Sequence, residues 1–202
     1  PGHGGVLAPG PVQERLGITP YHEDAEWEMV KRDLALLKDF PSARYHVLHV
    51  SSAKTLDLIG EAKAKGMKAT CEVSPHHLFF ASDDIDARHS SFKMNPPLRS
   101  RMDQARLRNA LRDGLCDFVA TDHAPHEPAA KTENFKTSAY GTTGLETSLR
   151  VLLTLWRLGE LSAERLVQVF AQKPANFLGL ANGYGAISIG TVLRAVLVDT
   201  EE

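Results

Sequence analysis

Residues 116–126 read CDFVATDHAPH: Cys116-Asp117-Phe118-Val119-Ala120-Thr121, then Asp122-His123-Ala124-Pro125-His126. The first six residues form a short, strand-like run that leads without a spacer into a carboxylate and two imidazoles. An acidic residue directly after a buried strand incurs a desolvation cost. A metal ion, a proton-transfer role or a helix-cap role would offset it. Two earlier segments repeat the plan. Tyr45 to Val50 (YHVLHV) carries His49 near its end and precedes Ser51-Ser52, a helix cap; Lys68 to Val73 (KATCEV) runs into Ser74-Pro75-His76-His77.

Helical patterns separate these strands. Trp27, Val30, Leu34 and Leu37 recur at helical spacing over residues 23–38, and residues 54–65 are amphipathic and closed by Gly66. Residues 101–113, 145–157 and 163–170 have the same character, the first ending at Gly114. Strands alternating with helices predict βαβ units and a parallel sheet. In such folds the active site gathers at the C-terminal ends of the strands, where His49, His76-His77 and Asp122 to His126 lie. Residues 183–199 read as short strands with glycine turns.

Composition bounds the class without naming a reaction. The chain has 202 residues, 43% hydrophobic and 24% charged, with a formal net charge of −2, which gives no reason to expect nucleic acid or an anionic membrane as partner. No apolar run reaches the length of a membrane span. Pro1-Gly2-His3-Gly4-Gly5 lacks the basic start and apolar stretch of a signal peptide. Cys71 and Cys116 sit in apolar strand contexts and are expected to be reduced, which suits a cytoplasmic protein.

Each candidate has a plain alternative. His49 is either a satisfied histidine at a strand terminus or a ligand. His49 and Asp122 together would be two ligands for a borderline cation such as zinc, too few for a complete site. Read as strand residues, His76 and His77 would point to opposite faces, so at most one would face the site. Asn95, between Met94 and Pro96-Pro97, reads as an exposed turn residue, and Arg99 as a surface cation. His3, His22, His46 and His89 receive no role.

In order and spacing, His49-Val50-Ser51-Ser52, Cys71-Glu72-Val73-Ser74-Pro75-His76-His77-Leu78, Met94-Asn95-Pro96-Pro97-Leu98-Arg99 and Asp122-His123-Ala124-Pro125-His126 resemble the type I dihydroorotases, cyclic amidohydrolases of the amidohydrolase superfamily. Gly144-Leu145-Glu146-Thr147 and residues 173–180 extend the resemblance over nearly the whole chain. It implies an α/β fold, the C-terminal part of a (β/α)8 TIM-type barrel. Residues 1–22 would be a loop leading into the barrel, 23–180 about its last three strands, and 181–202 the start of a small C-terminal β-domain. It further implies that His49 is a metal ligand and that Asp122 both binds metal and carries the proton. Asn95, His126, Tyr140 and Gly141 would hold the substrate. The cofactor would be one or two Zn2+ ions, and the reaction the reversible hydrolysis of dihydroorotate to N-carbamoyl-L-aspartate.

The family's upstream features, a His-x-His pair, a substrate-binding arginine, a mid-chain acidic or carboxylated-lysine ligand and a further histidine, are not seen here. A complete barrel needs about 250 residues. The chain is therefore expected to be inactive and poorly soluble alone, with the missing barrel half or a homo-oligomer as partner. A scaffold subunit for aspartate transcarbamoylase and an allantoinase- or hydantoinase-like enzyme are the other readings.

Overall fold

A computed structural model describes residues 4–86, 88–132, 134–180 and 183–200. Its centre is a parallel three-stranded sheet in the order β1 (Tyr45–Val47), β2 (Ala69–Val73), β3 (Phe118–Val119). Tyr45 stands opposite Ala69, Val47 opposite Cys71, and Val73 opposite Val119. The α3 helix (Ala53–Ala64) joins β1 to β2, while α4 (Pro75–Phe79) and α5 (Arg101–Asp113) join β2 to β3.

The strand period of two sorts the side chains between two faces. Val47, Ala69, Cys71 and Val73 face the helices and share one core with Leu56, Ile59, Leu107, Leu111, Leu152 and Leu155. His46, Thr70, Glu72 and Phe118 occupy the other face. There the His46 ring nitrogens lie 2.8 Å from Thr70 Oγ1 and 3.0 Å from Glu72 Oε2, and the ring stacks on Phe118 at 5.2 Å. His46, for which the sequence suggested nothing, thus ties β1 to β2 on the polar face.

The helices follow their local signals. Ser100 and Asp103 form a capping box at the start of α5, and Gly114 ends it in the left-handed region at φ 91°. Ser52 caps α3 by accepting from the Lys54 N–H. The α2 helix (Asp24–Leu37) and α6 (Leu145–Arg157) lie close to the expected bounds. Both cysteines are free and buried. Among the described residues no helix is long and apolar enough to cross a membrane.

Several expectations need correction. The 1–22 run contains a short helix, α1 (Pro11–Arg15), and a parallel bridge between Leu7 and Pro20. Val6, Leu7, Val12 and Ile18 pack there with Met94, Leu98 and Phe135 in a second core, so backbone bridging and apolar burial order a Gly- and Pro-rich segment. Helix 163–170 is instead α7 (Ala163–Val167), a π stretch (Gln168–Gln172) and α8 (Lys173–Phe177). Residues 183–199 form no strand, and Ile187, Ile189, Val196 and Leu197 are exposed. His3 and residues 181, 182, 201 and 202 lie outside the described residues.

Candidate active site

Strand β1 stops after Val47 because the chain turns sharply at His49. His49 (φ 35°) and Asp122 (φ 47°) are the two non-glycine residues with positive φ among those described, and both lie just beyond the C-terminal ends of parallel strands. An L-residue held in this region carries a cost of about 1 kcal/mol or more, and such strain clusters at functional sites. The ladder resumes after the turn, since Val50 N–H donates to Glu72 O at 2.9 Å. The turn therefore displaces His49 without unravelling the sheet edge.

A buried carboxylate holds that turn. Glu26 lies on the same face of α2 as Val30, Leu34 and Leu37, and accepts from the Ser51 N–H (3.2 Å), the Ser52 N–H (3.1 Å) and the Ser51 hydroxyl. Arg99 completes the network. Its Nε donates to Ser51 Oγ at 3.1 Å and its Nη1 to Tyr21 O at 2.7 Å. The expectation of a surface cation was wrong. Arg99 is buried, and the balancing charge that acts on it most strongly is Glu26, which shares Ser51 with it.

His76 and His77 are not strand residues: Pro75 starts α4 and places both on one short helix, both buried. His77 Nε2 lies 3.1 Å from the Pro96 carbonyl, so it must donate. The Ser74 hydroxyl then donates to His77 Nδ1 (2.5 Å), and His76 Nε2–H donates to Ser74 Oγ (2.9 Å). This relay ties the Asn95-Pro96 turn to the end of β2. His76 also lies 3.7 Å from Asp122 Oδ2. Burial and then the nearby His49 push His76 down to about 4, so at neutral pH this contact joins a neutral ring to the carboxylate. Burial raises the Asp122 carboxyl, His49 opposes that rise, and Glu72 adds to it.

Because burial also holds His77 well below its usual 6.5, the folded chain binds fewer protons at these two histidines than the unfolded chain. Their contribution to stability is complete above about pH 6.5 and is lost as pH falls towards the folded value. For His76 the full span from 6.5 to about 4 corresponds to about 3 kcal/mol. Urea unfolding at pH 7 and pH 4.5 is expected to show this loss, and replacing His76 and His77 by asparagine should flatten it.

The remaining candidates fall into two places. Asn95 is exposed and shares with His49, Tyr21, Tyr45 and His46 a cleft of about 360 Å³. His126, Tyr140 and Gly141 meet on the loop after β3, where His126 Nε2 donates to Tyr140 O at 2.7 Å. Gly141 (φ 118°) is required there: a Cβ would lie 2.5 Å from Ala124 Cβ and 2.9 Å from Ala124 O. Gly141→Ala is expected to destabilise the chain by about 2 kcal/mol, read as a lower midpoint in thermal unfolding. His123 turns away from this group, its Nδ1 accepting the Gly144 and Leu145 N–H groups at the start of α6.

Four buried side-chain polar atoms have no hydrogen-bond partner among the described residues: Thr55 Oγ1, Arg99 Nη2, Gln104 Nε2 and, at a strand end, His49 Nδ1. An imidazole nitrogen left free near a carboxylate is the donor set that a divalent cation such as zinc accepts. Among the described residues, however, no group of three or more His, Cys, Asp or Glu is placed to hold a metal ion. His49 and Asp122 supply the right donor types but are only two, short of a metal site on their own.

The fold belongs to a known class: residues 18–202 fit the model of the Amidohydrolase family, and the chain belongs to that family. Within it, the chain is 42% identical over 200 residues to a dihydroorotase of Lactiplantibacillus plantarum, covering 98% of this chain and 46% of that protein. It is 38% identical to a dihydroorotase of Ehrlichia canis, covering 96% of this chain and 43% of that one. The chain spans less than half the length of these relatives and corresponds to their C-terminal part. Among solved structures it resembles an L-hydantoinase (dihydropyrimidinase) from Arthrobacter aurescens, with a TM-score of 0.76 and 36% identity over 81% of this chain and 37% of that one. A dihydropyrimidinase from Brevibacillus agri gives a TM-score of 0.74 at 27% identity, over 83% of this chain and 38% of that one. The parallel sheet that the alternation of strands and helices predicted is thus part of a TIM-type barrel, as the resemblance implied. The family is generally metal-dependent.

Proposed function

We propose that this chain is the C-terminal part of a cytoplasmic dihydroorotase, which interconverts dihydroorotate and N-carbamoyl-L-aspartate in pyrimidine biosynthesis. The observation that carries the reading is the pair His49 and Asp122, both held in left-handed backbone at strand ends, with His49 Nδ1 buried and partnerless. The relatives named dihydroorotase, 38–42% identical, support the ring substrate. When bound, a zinc ion would supply Lewis acidity to the ring carbonyl and lower the pKa of water.

The chain's own residues then do the following. His49 and Asp122 offer imidazole nitrogen and carboxylate oxygen to the metal. Water oxygen adds to the ring carbonyl carbon, and Asp122 takes the water's proton. As the C–N bond breaks, Asp122 delivers that proton to the departing ring nitrogen. Asn95, His126 and the Tyr140-Gly141 backbone orient the ring, a contribution through proximity that requires the loop to be held in place. The remaining ligands would come from the N-terminal part that the relatives carry, so this chain alone is expected to be inactive.

A second reading rests on the hydantoinase and dihydropyrimidinase structures, one of them at 36% identity. The two are separated by joining this chain to the N-terminal part of the L. plantarum relative and assaying dihydroorotate, hydantoin and dihydrouracil. Turnover of dihydroorotate is expected, and preference for hydantoin or dihydrouracil would favour the second reading. If aspartate transcarbamoylase is a partner, it meets a chain that keeps both His49 and Asp122, which argues against a purely scaffolding role.

A further inference from the structure

Residues 136–141 form neither helix nor strand, yet they end in the Tyr140-Gly141 segment that the proposed function sets against the ring. Two lysines supply donors for four of their carbonyls, those of Lys136, Ser138, Ala139 and Gly141. Lys131 Nζ donates to Ser90 O, Ala139 O and Gly141 O, each at 2.9 Å. Lys93 Nζ is buried, donates to Lys136 O (2.8 Å) and Ser138 O (2.7 Å), and lies 4.3 Å from the centre of the Tyr140 ring. The main chain closes the arrangement, since Gly141 N–H donates to Lys93 O at 2.9 Å.

We propose that Lys93 and Lys131 are positioning residues whose ammonium groups clamp the 136–141 backbone and so fix Tyr140 and Gly141 at the substrate site. Three features support this. The partners are main-chain carbonyls, so the lysines serve the loop's conformation and not a local ion pair. Lys131 makes three donor bonds, which only the charged ammonium can provide, because a neutral amine has two N–H groups. Burial pushes both ammonium groups down, and Lys93 pushes Lys131 down further, so the fold keeps two cations close together at a cost that the converging carbonyl dipoles offset. Lys93 is also two residues before Asn95, so one segment carries the clamp and a substrate-binding candidate.

The proposal rests on the reading of Tyr140-Gly141 as ring-lining, and its test separates the two. On this chain, Lys131→Met is expected to speed amide exchange at Ala139 and Gly141 by about tenfold, whereas Lys38→Met, at an exposed lysine, leaves it unchanged. In the chain joined to the N-terminal part of the L. plantarum relative, Lys131→Met is expected to raise KM for dihydroorotate by about tenfold, with kcat within about fivefold of the parent. Lys131→Cys should show the same defect, and alkylation with 2-bromoethylamine, which restores an ammonium, should return KM to near the parent value. Buried Cys71 and Cys116 are shielded from the reagent. Unchanged exchange and KM in Lys131→Met would overturn the clamp. A defect in Lys131→Cys that alkylation does not repair would overturn the role of the charge. If the joined parent does not turn over dihydroorotate while exchange still rises in Lys131→Met, the clamp stands and the proposed substrate falls.

Discussion

Replacing Asp122 by asparagine in the completed barrel is expected to lower kcat for dihydroorotate by about 10³-fold. The substitution keeps the size of the side chain and an oxygen that can accept a hydrogen bond. In the proposed reaction it removes the group that takes a proton from water and returns it to the ring nitrogen. Because Asp122 sits in left-handed backbone at φ 47°, asparagine is among the residues best able to keep the local conformation. The loss should therefore appear in turnover and not in folding, which near-UV circular dichroism of the variant checks. A loss of tenfold or less would show that another group carries the proton.

The second large effect is on stability. Glu26→Ala leaves the Ser51 and Ser52 N–H groups without their acceptor and strips the buried Arg99 of its strongest balancing charge. Removing one member of a buried charged network costs about 3–5 kcal/mol, read as a drop in the urea midpoint. Glu26→Gln keeps one acceptor oxygen and should lose less, about 1–2 kcal/mol. Combining Glu26→Ala with Arg99→Met should cost less than the sum of the single changes, because the second removes the charge that the first leaves uncompensated. The same turn positions His49, so Glu26→Ala is also expected to weaken metal binding in the completed barrel.

The helices were legible because their ends carry local chemistry. Ser100 with Asp103, and Gly114, bound α5, while the apolar stripe of α6 sets its length. Strand order and the strand-end position of His49 and Asp122 followed from apolar runs leading into polar residues. Other features depend on distant partners. Arg99 follows a Pro-Pro turn and reads as a surface charge; its bonds reach Ser51 and Tyr21, 48 and 78 positions away. Lys93 and Lys131 read as ordinary loop cations until the carbonyls of 136–141 converge on them. Glu26 and His77 were within reach. Glu26 shares the helical face of Val30 and Leu34, and Ser74-Pro75 is a helix-start signal that places His76 and His77 on a turn of helix instead of a strand.

Dihydroorotate turnover by this chain, alone and joined to the N-terminal part of the L. plantarum relative, each with zinc, tests the central claim most directly. The expected result is no turnover alone, turnover when joined, and its loss in Asp122→Asn. Turnover by the chain alone would contradict the account of an incomplete metal site. A joined enzyme that binds zinc but leaves dihydroorotate untouched would contradict the proposed reaction.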